Sequence, residues 1–148
     1  MRTPANSACF SFFPRPSRVH GAALKKILLV DDDPLVRASL ADVLSENGYE
    51  VSEADNGSGG LAALERDSFD CVVLDILMPE REGLETIRAI RKKWAALPVL
   101  AISGGDRTGW CDHLRMAAAF GANDTMAKPF VSSDLVSRVA RLVDRAKA

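Results

Sequence analysis

Apolar residues along the chain fall into two alternating kinds of segment. Ile27-Leu28-Leu29-Val30, Cys71-Val72-Val73-Leu74 and Val99-Leu100-Ala101-Ile102 are short, continuous and aliphatic. Such runs suit strands buried on both faces of a parallel sheet. Thr125-Met126-Ala127 is a shorter run of the same kind, and Glu50-Val51-Ser52-Glu53-Ala54 alternates, as a strand nearer the sheet edge does. Between these runs the apolar residues recur at helical spacing: Val36, Leu40, Val43 and Leu44; Leu84, Ile87, Ile90 and Trp94; Leu135, Val139, Leu142 and Val143. Two further helices are expected, near Leu61 to Arg66 and near Arg107 to Phe120. Gly57, Gly59 and Gly60, poor helix formers, precede the first of these, and Gly121 closes the second. Asp33 suits a helix N-cap, Pro34 the first helical position, and Gly48 the helix end. The pattern predicts five strands alternating with five helices. That is an α/β fold with a parallel sheet covered on both faces.

The strands end in chemistry. The first runs into Asp31-Asp32-Asp33, the third ends at Asp75, the fourth at Ser103 and the fifth at Lys128. Pro79 cannot continue a central strand, so the third stops near Asp75. In open α/β sheets ligands bind outside the carboxyl ends of the strands. Any one of these acids alone reads equally well as a turn former or a solvated carboxylate. Together they would put Asp31, Asp32 and Asp75 at one sheet edge, where like charges repel unless a cation relieves them. A hard divalent ion held by carboxylates, a carbonyl and waters does so, and Mg²⁺ is the natural choice.

Val30-Asp31-Asp32-Asp33-Pro34, Leu74-Asp75-Ile76-Leu77-Met78-Pro79 with Gly83, Ile102-Ser103-Gly104 and Lys128-Pro129-Phe130 resemble, in this order and spacing, the receiver domain of two-component response regulators. The resemblance covers residues from about 25 to 146. It implies a flavodoxin-like, doubly wound (βα)5 fold with strand order 2-1-3-4-5. It implies that Asp75 takes a phosphoryl group from a histidine kinase or phosphotransfer protein. Asp32 would ligate Mg²⁺ directly, Asp31 largely through water, and the backbone carbonyl of Leu77 would complete the protein ligands with Asp75. Lys128 would pair with one phosphoryl oxygen and Ser103 would donate to another.

Two positions stand out against the family pattern. Thr125 occupies the place, three before the lysine, where the family often has an aromatic switch. The usual partner of Ser103 in propagating the signal is therefore missing. Leu77 lies two residues after the acceptor and cannot place an attacking water. The aspartyl phosphate is expected to be long-lived, and Leu77→Asn to shorten its lifetime. Equal or slower loss of the phosphoryl group in that variant would contradict the reading.

Composition narrows the picture. A chain of 148 residues fits one domain with a real core. Residues 25–148 are assigned to that domain and residues 1–24, rich in Pro, Ser and Arg, to a disordered extension. Nothing else remains for an output module, so the chain reads as a stand-alone receiver. Residues 1–30 hold five cations and no acid, while the remainder holds fourteen cations and twenty acids. An acidic folded part without a basic patch argues against direct nucleic-acid binding. No apolar run approaches the ~20 residues of a membrane helix. Cys9, Cys71 and Cys111 have no metal-ligand spacing, and Cys71 reads as a core residue. The chain is expected to be cytoplasmic and free of disulfides.

His113 lies on an expected helix with no second ligand nearby, and reads as an ordinary histidine. Trp110 and Phe130 suit a core or a partner surface. The three glycines near 57–60 lack the pattern of a phosphate cradle.

The leading reading is a phosphoacceptor that signals through a downstream target protein, with homodimerisation open. It is not expected to be an enzyme beyond its own phosphorylation and dephosphorylation. A phosphorylation-independent scaffold and an aspartate-nucleophile phosphatase are the alternatives. Asp31 and Asp33 have the Asp-x-Asp spacing of such a phosphatase, but Pro34 follows and no cap domain is evident.

Overall fold

Five strands form one parallel sheet in the order β2-β1-β3-β4-β5. They are β1 (Lys26–Val30), β2 (Glu50–Ala54), β3 (Cys71–Asp75), β4 (Val99–Ser103) and β5 (Asp124–Ala127), alternating with α1 (Pro34–Glu46), α2 (Gly57–Arg66), α3 (Glu82–Lys93), α4 (Trp110–Phe120) and α5 (Ser132–Lys147). This computed structural model describes residues 24–76, 82–104 and 110–147. Residues 1–23 of the expected extension, Leu77 and the side chains of Trp110, Cys111 and His113 lie outside the described residues. The expected strand order and the five βα units hold.

The continuous apolar strands are explained by the two layers they serve. Successive residues point to opposite faces. Ile27, Leu29, Cys71, Val73, Leu100 and Ile102 meet α1 and α5 through Leu40, Leu44, Leu135, Val139 and Leu142. Leu28, Val30, Val72, Leu74, Val99 and Ala101 meet α2, α3 and α4 through Leu64, Leu84, Ile87, Ile90 and Ala117. The edge strand β2, read from its alternation, is only partly buried.

Local signals set several boundaries. Asp33 caps α1 by accepting from the Leu35 and Val36 N–H groups, and Pro34 opens the helix. Gly48 follows at φ 94°. Helix α2 starts four residues before its expected start at Leu61. Asn56 caps it by accepting the Gly59 N–H at 2.7 Å. Gly60 lets the helix lie against Val30, since a Cβ there would sit 3.0 Å from Val30 Cγ2. The glycines thus serve a cap and a close approach. Of the helix expected from about Arg107, residues 107–109 lie outside the described residues. Strand β5 ends one residue before Lys128, although the Lys128 N–H still donates to the Ser103 carbonyl at 2.7 Å and prolongs the ladder.

Cys71 is fully buried in the core facing α1 and α5. Burial pushes its thiol up to about 12. Peptide mapping after alkylation at pH 8 is expected to find Cys71 unmodified in the folded chain and modified after denaturation. Modification of Cys71 without unfolding would contradict its placement.

Candidate functional site

The acids converge because their strands are neighbours. Val30 pairs with Leu74 across β1 and β3, so Asp31 and Asp75 leave the sheet side by side. Asp75 pairs with Ile102 on the other flank, which places Ser103 one residue beyond the row of Asp75. Oxygen atoms of Asp31, Asp32 and Asp75 lie within 4.8 Å of one another. Asp31 is 2% exposed and Asp75 7%, whereas Asp32 is exposed. Two carboxylates are therefore largely taken from water and a third opens the cluster to it.

Lys128 reaches this cluster from the end of β5. Its Nζ lies 3.5 Å from Asp75 Oδ2 and 3.6 Å from Asp31 Oδ2. One cation thus bridges the two buried acids, which is the pairing that burial of charge requires. Its path depends on Gly104. A Cβ there would sit 2.4 Å from Lys128 Cβ and 2.9 Å from Cγ and Cδ. The residue that follows the fourth strand therefore has to lack a side chain for the lysine stem to cross it.

Ser103 is fully buried. Its Oγ has no hydrogen-bond partner among the described residues. Leaving a buried hydroxyl unmatched costs about 1–3 kcal/mol. Such a group at the rim of an acidic cluster suits a ligand that supplies an acceptor.

The structure brings together Asp31, Asp32, Asp75 and Lys128, and sets Ser103 on the adjoining strand end. The Leu77 carbonyl lies outside the described residues. Thr125 is half-buried on β5, opposite Ala101. Arg138 of α5 donates to Asp124 Oδ1 at 2.9 Å and to the Thr125 carbonyl at 3.2 Å, tying the last helix to this strand. A groove of about 610 Å³, lined by Leu64, Phe69, Trp94 and Leu97 among others, lies at the opposite ends of the strands. Sequence reasoning had no role for Arg37, which donates to the Asp31 carbonyl at 2.7 Å. Its position in the first turn after the acidic run was the available signal.

The sheet thus carries three clustered acids and a bridging lysine at its carboxyl edge. A family model, the response regulator receiver domain, matches residues 27–140. The chain belongs to that family. It is 40% identical over 123 residues to the response regulator MprA of Mycobacterium leprae, a match that covers 82% of this chain and 52% of MprA. The chain thus spans about half the length of the curated relatives it matches. Among solved structures, a CheY-like receiver domain protein from Methanospirillum hungatei superposes with a TM-score of 0.77 at 28% identity, covering 84% of this chain and 98% of that one. The receiver domain of NtrX from Brucella abortus gives 0.74 at 32%, covering 80% and 98%. Among the described residues no helix is long and apolar enough to cross a membrane.

Proposed function

We propose that Asp75 accepts a phosphoryl group from a histidine kinase or phosphotransfer protein, and that the phosphorylated form changes the chain's contacts with a downstream protein. One observation carries the reading: a buried carboxylate at a strand end, within 4.8 Å of two others and 3.5 Å from a lysine. The donor set suits a hard divalent ion, because it offers carboxylate oxygens and no sulfur or imidazole. Asp31, Asp32 and Asp75 would hold Mg²⁺. When bound, it supplies positive charge against the phosphoryl oxygens.

The rest is done by this chain's residues. Asp75 attacks phosphorus, forming a carboxylate–phosphorus bond as the bond to the donor nitrogen breaks, with the electron pair leaving on that nitrogen. Phosphoryl transfer asks mainly for positioning and charge neutralisation. Lys128, already beside Asp75, neutralises one phosphoryl oxygen, and the unmatched Ser103 hydroxyl donates to another. The donor protein has to approach this end of the sheet. Leu35, at the start of α1, is 81% exposed there and Val131, just before α5, is 63% exposed. They are apolar side chains that a docking partner would cover. The chain turns over no substrate beyond its own phosphoryl group.

Reductive trapping with borohydride after treatment with acetyl phosphate tests the acceptor. An acyl phosphate at Asp75 is expected to yield homoserine at that position alone. Trapping at Asp31 or Asp32 instead, or at none, would overturn the assignment.

A further inference from the structure

We propose that Arg37 is a positioning residue for the acidic pair: it fixes the Asp31–Asp32 peptide, and through it the direction in which Asp32 leaves the chain. The inference rests on the reading of the cluster as a divalent-cation site.

Beside the ion pair with Lys128, three hydrogen bonds hold Asp31. Its N–H donates to the Ala54 carbonyl of β2 at 3.1 Å. Its Oδ1 accepts the Asp33 N–H at 2.9 Å. Its carbonyl accepts from Arg37 Nη1 at 2.7 Å. The first two bonds place Asp31 itself. The third acts on the peptide plane that joins Asp31 to Asp32. A peptide is rigid, so fixing its carbonyl fixes the nitrogen and Cα that follow. Asp32 is the exposed member of the cluster, without the packing that holds Asp31 and Asp75. Its carboxylate depends on its backbone for direction.

Arg37 is itself braced. Its N–H donates to the Asp33 carbonyl at 2.9 Å, seating it in the first turn of α1. Its Nε donates to Glu53 Oε1 of β2 at 3.1 Å. The guanidinium is planar, so the contact with Glu53 orients Nη1 toward the Asp31 carbonyl. One side chain thus joins the end of β1, the start of α1 and the edge strand β2.

Two effects of removing Arg37 have opposite signs, and this makes the proposal testable. A cation beside an acidic cluster opposes the binding of a second cation. If Arg37 acted only through its charge, its loss would tighten Mg²⁺ binding. If it acts by holding the peptide, its loss weakens binding. Groups that orient metal ligands from behind typically change affinity by 10–100-fold.

Calorimetric titration of the full chain with Mg²⁺ decides between them. Arg37→Met keeps the apolar stem and is expected to raise the dissociation constant about tenfold, with the helical circular dichroism unchanged. Arg37→Lys keeps the charge but offers no rigid fork to both acceptors, and is expected to bind weakly as well. Glu53→Gln retains the acceptor and is expected to stay within about twofold of wild type, whereas Glu53→Ala falls between. Unchanged or tighter Mg²⁺ binding in folded Arg37→Met would overturn the proposal. Should that variant not fold, wild-type affinity in Arg37→Lys does the same. Absence of Mg²⁺ binding by wild type would be a different failure, since it would remove the cation-site reading and the proposal with it.

Discussion

Gly83→Ala is expected to lower the stability of the folded chain by about 2–3 kcal/mol, the upper part of the range for forcing an extra carbon into a packed site. A Cβ at this position would lie 2.4 Å from Ile76 Cα, 2.8 Å from the Ile76 carbonyl oxygen and 2.9 Å from that of Asp75. All three are backbone atoms, so no rotamer change relieves the contact. Relief requires α3 to back away from the end of β3. Leu84, Ile87 and Ile90, all at most 5% exposed, would then be drawn out of their layer against Leu74 and Val99. Gly59→Ala supplies the contrast. Its Cβ would meet nothing closer than 3.4 Å. Replacing a helical glycine there is expected to stabilise by about 0.5–1 kcal/mol. Urea midpoints at constant slope measure both. Equal shifts in the two variants would refute the close approach of α3 to β3.

Lys128→Met is expected to slow phosphorylation by acetyl phosphate by roughly 10²-fold or more, the cost typical of removing one fixed electrostatic partner of a developing charge. The lysine is the cation that bridges Asp75 and Asp31, at 3.5 and 3.6 Å. It also competes with a divalent ion for the same carboxylates. Its loss is therefore expected to tighten Mg²⁺ binding while slowing transfer. The opposite movement of the two readouts separates this role from general damage to the site, which would weaken both. Initial rates of adduct formation at saturating Mg²⁺, with a calorimetric titration alongside, give the comparison. An unchanged rate would remove Lys128 from the mechanism.

Much of this was legible in the sequence, for reasons that differ by residue. Asp33-Pro34 announces the start of α1 through chemistry confined to one turn. The strands could be read because burial on both faces leaves an apolar run, and β2 because an edge strand does not. Asp75 and Lys128 stood at strand ends, and the strand order supplied their meeting across 53 positions. What the sequence hid was the space between elements. Gly83 and Gly104 look like loop glycines until the backbone of Ile76 and the stem of Lys128 are seen against them. Gly57, Gly59 and Gly60 looked like a poor helix start, because low propensity was visible and the Asn56 cap and the contact with Val30 were not. Arg37 had no role in that reading. Its two partners are a backbone carbonyl and a glutamate on another strand, neither marked by spacing.

In the function proposed for it, the acidic cluster makes Asp75 a divalent-ion-dependent phosphoacceptor. Intact mass after incubation with acetyl phosphate, with and without Mg²⁺, tests it most directly, for wild type and for Asp75→Asn. A single phosphoryl adduct is expected on wild type, lost when the ion is chelated and absent from the variant. An adduct of equal yield on Asp75→Asn, or none on folded wild type with Mg²⁺ present, would contradict it.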